Sequence, residues 1–291
     1  MPRKTTILAR ILLVLCLPAL PQSTEGQSRD TVALRTASIA VTAEYGGIRN
    51  IDTYLSPLRY SGSHYRISFE HFRPFRANPR QWIHRTDVAL SYDNPKNPAR
   101  NNTIHTLSAD IGWSALRRWD NVLLPKLNLY AGGTVGFKGG VSYNPRNSNN
   151  VCSPLIYANI GISGMATYRF SIGRIPVLAR WQPTIPVTGA FYLPEYDQTF
   201  YEIYLGNYGN TVNFGNWSNR FDMDNLVALD FQLGTAALRI GYRNEFTTLW
   251  KNNISMHRCV HAIVVGIAWE SLRISPQKRM PANAQIISAL Y

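Results

Sequence analysis

Residues 65–70 are YRISFE and residues 87–92 are DVALSY. Both hexapeptides alternate. Tyr65, Ile67 and Phe69 fall against Arg66, Ser68 and Glu70, and Val88, Leu90 and Tyr92 fall against Asp87, Ala89 and Ser91. Side chains of an extended strand point to opposite faces in turn, so a period of two predicts a strand with one apolar face. The pattern recurs along the chain. Ala109, Ile111 and Trp113 oppose Ser108, Asp110, Gly112 and Ser114. Val227, Leu229, Phe231 and Leu233 oppose Ala228, Asp230 and Gln232. Leu238, Ile240 and Tyr242 oppose Arg239, Gly241, Arg243 and Glu245, and Ile263, Val265, Ile267 and Trp269 oppose Gly266, Ala268 and Glu270. A soluble sandwich fills its polar face with Lys, Thr and Glu. Here that face carries small residues and charges of both signs, which suits a crowded interior. The apolar face carries Tyr and Trp near strand ends, as an aromatic girdle does.

Strands are expected near 36–46, 60–75, 81–92, 103–117, 122–138, 153–171, 177–190, 225–233, 237–249 and 258–271. The links 47–59, 93–102, 139–152, 191–224 and 250–257 are long, and those between them are short. That alternation predicts an all-β, antiparallel up-and-down transmembrane barrel of about ten strands, with long external loops and tight turns at the other end. Two further strands at 201–206 and 211–217 would raise the number to twelve. A closed barrel leaves no sheet edge unsatisfied in lipid.

Composition agrees. Charged residues are 16% of 291 and aromatics 12%, which excludes a disordered chain. Three Cys are too few for a disulfide scaffold, and after the N-terminus nothing approaches the apolar run of a spanning helix. Residues 1–22 have a basic start (Arg3, Lys4, Arg10), an apolar run from Ile11 to Leu17 and small or polar residues after Leu20, which predicts a secretory signal peptide. Leu15 before Cys16 argues against a lipoprotein signal. Residues 23–35 are then an N-terminal periplasmic segment, 36–271 the barrel and 272–291 a C-terminal tail. Loss of the signal lowers the formal charge of +13 by three. So basic a surface suits an anionic partner. Export disfavours nucleic acid, which leaves outer-membrane lipid, including lipopolysaccharide, or another anionic surface ligand. A monomer is expected. Cys152 and Cys259 survive at the external rim, and the sequence does not say whether they pair.

Three longer stretches carry a resemblance. IDTYLSPLRYSG at 51–62, YNPRNSNN at 143–150 and FYLPEYDQTFYEIYLGNYG at 191–209 resemble an uncharacterised family of Bacteroidetes outer-membrane β-barrels, a domain of unknown function. LVALDFQLG at 226–234, LRIGYRNEF at 238–246 and VVGIAWES at 264–271 are similar to its closing strands. The likeness runs from about Ala40 to Ser271. It implies an outer-membrane barrel and no defined activity. Val151–Cys152 departs from the family pattern, and residues 272–291 extend past its last strand, so either Trp269 or Tyr291 is the aromatic assembly signal.

No constellation points to catalysis, a cofactor or a metal. An outer-membrane lipid-acting hydrolase is a second alternative to the non-enzymatic reading, with Ser218 as its nucleophile, but Ser218 lacks a local base. His257, Cys259 and His261 share a strand face, but i and i+4 lie about 13 Å apart, too far for one ion. The alternation turns Arg66, Lys126, Arg169, Arg180, Arg239 and Arg243 inward with Glu70, Asp87, Asp110, Asp230, Glu245 and Glu270. Unpaired buried charge costs several kcal/mol, so a cross-linked network that plugs the lumen is expected. An open path would instead make a narrow channel for ions or small polar solutes. In the external loops, Asp52, Tyr54, Tyr143, Arg146, Asn147, Asn149, Asn150, Glu195, Tyr196, Tyr201 and Glu202 gather amides, carboxylates and aromatics. These groups suit a glycan or headgroup site, or loop-to-loop bonds that cap the mouth.

Overall fold

A computed structural model describes residues 32–272 and 284–290. The expected signal peptide and Tyr291 lie outside them. Ten strands form the wall: β1 (Val32–Asp52), β2 (Ser56–Pro74), β3 (Trp82–Asp93), β4 (His105–Trp119), β5 (Leu127–Tyr143), β6 (Cys152–Ile172), β7 (Ile175–Tyr192), β9 (Arg220–Leu233), β10 (Ala236–Lys251) and β11 (Ile254–Leu272). Each pairs antiparallel with its neighbour, and β1 pairs with β11 from Thr36↔Leu272 to Asp52↔Met256, which closes the barrel. Two short strands stand outside this cycle. β8 (Val212–Asn216) pairs with β7 at Thr188–Tyr192, and β12 (Ala284–Ile287) runs parallel to Val32–Arg35 of β1. The barrel is therefore ten-stranded. Segment 211–217 does contain a strand, but 201–206 does not. Helix α1 (Phe200–Tyr204) occupies that stretch because Thr199 and Glu202 form a capping box.

The strands are longer than expected, up to 21 residues in β1 and β6, about twice what a tilted strand needs to cross the hydrocarbon. The excess lies at the end of the barrel away from Val32 and Leu290, called distal here. Two of the expected long links accordingly shrink to turns. β1 and β2 join over 53–55, and β10 and β11 join over Asn252–Asn253. The strands project past the apolar band, so their lipid-facing alternation fades while backbone pairing continues. Asn252 and Asn253 have φ of 54° and 58°, the left-handed pair of a two-residue hairpin turn that Asn tolerates. Asn253→Val is expected to cost about 1–2 kcal/mol, and Asn253→Gly almost nothing, read as urea midpoints.

Burial is inverted relative to a soluble protein. Ile67 and Ile263 are 64% and 62% exposed, whereas Arg180 and Arg239 are each 1% exposed. The outward faces of all wall strands make an apolar band. Across β1, β2 and β3, Tyr45 meets Tyr65 in a tilted contact at 5.2 Å and Tyr65 stacks on Tyr92 at 6.3 Å between ring centroids. With Tyr242 on β10 they form its distal girdle. An apolar exterior around a charged interior is the pattern of a barrel solvated by lipid. Among the described residues no helix is long and apolar enough to cross a membrane.

Candidate functional site

The interior is built in four layers. At the end of the barrel where β1 starts, the last described residues turn into the mouth. Ala289 and Leu290 are fully buried against Phe72, Ile83, Leu116, Tyr130, Met165 and Leu178. Polar bonds hold this plug. The Tyr130 hydroxyl donates to the Ala289 carbonyl (3.2 Å), Arg118 Nη1 to the Ser288 carbonyl (2.9 Å), and the Ser288 hydroxyl to Glu270.

Next comes a neutral cluster around Glu70. Glu70 Oε2 accepts from Arg180 Nη2 and Arg239 Nη1, both at 2.7 Å, and Oε1 lies 3.4 Å from Arg85 Nε. Arg239 makes a fork to Asp230 at 2.7 and 2.8 Å, and Arg85 reaches Asp87 at 3.4 Å. Gly112 makes room here, because a Cβ would sit 2.7 Å from Asp87 Oδ1. The bidentate fork and the balance of three cations with three carboxylates offset the cost of burying these charges, while Arg180 Nε and Nη1 stay without a hydrogen-bond partner among the described residues.

The third layer is a longer chain of ion pairs. Arg66 bonds Glu245 (2.8 Å) and Asp110 (3.2 Å), and Lys138 lies 3.4 Å from Asp110. Arg243 joins Glu44 (2.9 Å) to Asp224 (2.6 Å), and Arg258 joins Glu245 (2.6 Å) to Asp93 (3.1 Å). Asp93 also meets His64 Nδ1 at 2.5 Å. A cavity of about 200 Å³ lies beside this layer, lined by Arg66, Asp110, Lys138, Asn159, Glu245 and Arg258 among others.

The distal mouth is closed by apolar residues: Tyr54, Leu55, Tyr60, Ile104, Tyr157, Phe191, Leu193, Leu249 and Ile254. The 144–150 loop clamps the 53–55 turn. Asn144 and Asn147 amides donate to the Leu55 carbonyl, and Asn150 to that of Tyr54. Arg220 lies 3.7 Å over the Tyr157 ring and pairs with Asp222 at 2.7 Å.

Of the residues expected to face inward, Arg66, Glu70, Asp87, Asp110, Arg180, Asp230, Arg239, Arg243 and Glu245 join the ion-pair layers. Three do not. Lys126 is exposed in the turn before β5, with φ of 69°, because the strand starts one residue later. Arg169 is half-buried on β6 without an ion pair among the described residues. Glu270 bonds Thr36 (3.4 Å) and Ser288 hydroxyls, not a cation, and so anchors the tail. Glu44, Arg85, Asp93, Lys138, Asp224 and Arg258 complete the network. Extending the alternation from Asp87 back to Arg85, and from Ile263 back to Arg258, finds two of them.

The expected loop site divides. Asp52 and Tyr54 are buried. Asp52 lies beyond the Tyr45 girdle, and burial pushes its carboxyl up to about 6 against the hydrogen bonds it accepts from Tyr54 and Leu55. Burial likewise pushes the Tyr54 phenol up, and its hydroxyl donates to the Gln198 carbonyl at 3.1 Å. Asn147 and Asn150 are engaged in the clamp, and Glu195 accepts from Asn210 at 2.7 Å. Glu202 caps α1, and hydrogen bonds from Thr199 hold its carboxyl below the usual range. Tyr143, Arg146, Asn149, Tyr196 and Tyr201 remain exposed. Ser218 donates to Asn216 in the turn after β8. Cys152 and Cys259 are free thiols. His257 turns to Ser255 (3.2 Å) and His261 to Cys259 (3.2 Å).

A closed ten-stranded wall, an apolar belt and a charge-filled lumen define an outer-membrane-type β-barrel. Within that class, the chain belongs to the DUF3316 family, proteins of unknown function, whose model matches residues 10–278. No curated protein matches it. Among solved structures it is similar to Neisserial surface protein A, at 11% identity and TM-score 0.32 over 79% of this chain and 96% of that one. It is also similar to the transport unit of the autotransporter AIDA-I from Escherichia coli (7%, TM-score 0.39, 92% and 98%). A third is the translocator domain of autotransporter NalP from Neisseria meningitidis (9%, TM-score 0.34, 91% and 95%).

Proposed function

We propose that the protein is a monomeric, closed barrel of the outer membrane that acts at the envelope surface and neither conducts nor catalyses turnover. The stacking of four closures in one lumen carries this reading: the Leu290 plug, the Glu70 cluster, the Arg66–Glu245 chain and the Tyr60–Phe191 cap. On this reading the end of the barrel that carries Val32 and Leu290 faces the periplasm. Outward Arg49 and Arg59, exposed beyond the Tyr45–Tyr65 girdle, suit lipopolysaccharide phosphates. Exposed Arg146, Asn149, Tyr196 and Tyr201 are the groups left for a glycan or other surface ligand.

The test is conductance in a planar bilayer. Insertion of the folded protein is expected to produce no current steps at any applied potential. Sustained ohmic steps would overturn the reading and favour a narrow polar channel, for which the cavity beside Lys138 and Arg258 is the starting path.

A further inference from the structure

One cluster of reactive groups lies outside the lumen. On the outward face of β11, Cys259 Sγ is 3.2 Å from His261 Nε2. The other imidazole nitrogen, Nδ1, meets the Tyr242 hydroxyl, and the two rings stack at 6.0 Å and 28°. Nδ1 also lies 3.3 Å from the Asn244 amide nitrogen; in the tautomer that carries its proton on Nδ1 and donates it to the Tyr242 hydroxyl oxygen, the Nε2 lone pair points at the thiol. Asn244 braces the pair from β10: its amide donates to the Val260 carbonyl at 2.9 Å and lies 4.0 Å from Sγ. A nucleophile, a base within hydrogen-bond reach and a third group orienting the base is the arrangement that activates a thiol.

Its placement identifies what it meets. The outward apolar residues of β11 end at Ile263, which pairs with the girdle residues Tyr45 and Tyr242. His261 and Cys259 are the next two outward positions, at the level of lipid carbonyls and headgroups. Gly47 stands opposite His261 on β1, and a Cβ there would have only the Gly62 carbonyl oxygen at 4.0 Å, so the wall is open beside the imidazole. Arg49 stands opposite Cys259 and brings a cation to the same spot. Cys152, the other free thiol, has no imidazole partner among the described residues.

We propose that Cys259 is a covalent acyl-acceptor site, which takes an acyl chain from an ester-linked lipid of the surrounding leaflet. The step balances without another reactant. His261 Nε2 takes the thiol proton as Sγ attacks the ester carbonyl carbon. The C–S bond forms, the ester C–O bond breaks, and the imidazolium returns the proton to the departing alkoxide. The products are an S-acyl cysteine and a lipid lacking one acyl chain. The proposal rests on the lipid-spanning part of the preceding reading and not on the closed lumen.

The experiment uses the full chain refolded into vesicles of dipalmitoylphosphatidylglycerol or, separately, of lipid A. Folding is first scored by gel mobility of unboiled against boiled protein. Intact and peptide mass spectra then follow acylation. The expected result is a gain of one acyl group on the Cys259 peptide, released by neutral hydroxylamine as a thioester is. Cys259→Ala should abolish it, Cys152→Ala should leave it, and His261→Gln should slow it on the order of a hundredfold. The lipid that donates identifies the source. Folded protein that gains no acyl group from either lipid, or Cys259→Ala protein that gains as much, overturns the proposal. Absence of the mobility shift would instead overturn the barrel reading beneath it.

Discussion

Glu70→Ala is expected to lower the stability of the barrel by about 3–5 kcal/mol, the cost of leaving buried charge without its partner. Glu70 is 3% exposed and receives three guanidiniums. Arg239 keeps its fork to Asp230, and Arg85 keeps Asp87. Arg180 keeps no direct ion pair: among the described residues Glu70 is the one carboxylate within bonding distance, Asp230 acting on it only from farther off, and it is 1% exposed. Its remaining neighbour of note is the Phe72 ring, 5.5 Å from the guanidinium carbon. Removing the cation as well, in Glu70→Ala/Arg180→Met, is therefore expected to recover much of the loss. The contrasting control is Asp120→Ala. Asp120 pairs with Arg118 at 2.5 Å but its side chain is 49% exposed, and surface pairs contribute only about 0–1 kcal/mol. Urea midpoints of the gel-mobility transition measure all of these. A Glu70→Ala midpoint equal to that of the wild type would mean that the lumen is hydrated and the charges are not paired as described.

Leu290→Asp should detach the tail and leave the barrel standing. Leu290 is fully buried in an apolar mouth. Leu→Ala at such a site costs about 2–5 kcal/mol, and an ionised carboxylate there costs more. What opposes release is four residues of parallel pairing with β1 and the side-chain bonds that join the tail to Tyr130, Arg118, Glu270 and Arg80. A loss of about 2–5 kcal/mol shifts the docked-to-free ratio roughly 30- to 5,000-fold. Protease added at the terminal end should then cleave the tail faster by about that factor, while the mobility shift of the barrel persists. Conductance should stay at zero, because the Glu70 cluster closes the lumen independently. A tail as resistant as that of the wild type would show that Leu290 does not hold it. Current through the variant would show that the tail is the main seal.

The wall was legible because lipid and lumen impose opposite polarities on successive residues. YRISFE and DVALSY put Ile67 and Leu90 outside and Arg66 and Asp87 inside, and the structure does the same. Legibility ended where that contrast ended. Beyond the girdle the outward face turns polar at Arg49, Cys259 and His261 while the inward face carries apolar Ile48 and Ile254, so the apolar-out, polar-in pattern is lost and the distal thirds of β1 and β11 resembled loops. Lys126 resembled a lumen charge because the expected strand begins at 122, whereas β5 starts at Leu127, and spacing leaves a strand boundary open by several residues. Glu270 kept its inward direction but found hydroxyls, since nothing in its own strand shows what enters the mouth from the tail.

By itself, then, the chain determined a barrel of about ten strands, its inside and outside, and the need for its inward charges to be paired. Those follow from the period of two and from the cost of bare charge in a closed space, both local properties. Partner choice was decided only by tertiary structure. Arg180 meets Glu70 across 110 residues, Arg243 meets Glu44 across 199, and Tyr130 meets Ala289 across 159. Such contacts depend on barrel closure and strand register, which bring distant residues to one level of the lumen. The Cys259–His261 pair shows the same division. Its two residues are adjacent on one face by sequence, but Tyr242 and Asn244, which orient them, arrive from the neighbouring strand through the register of β10 with β11.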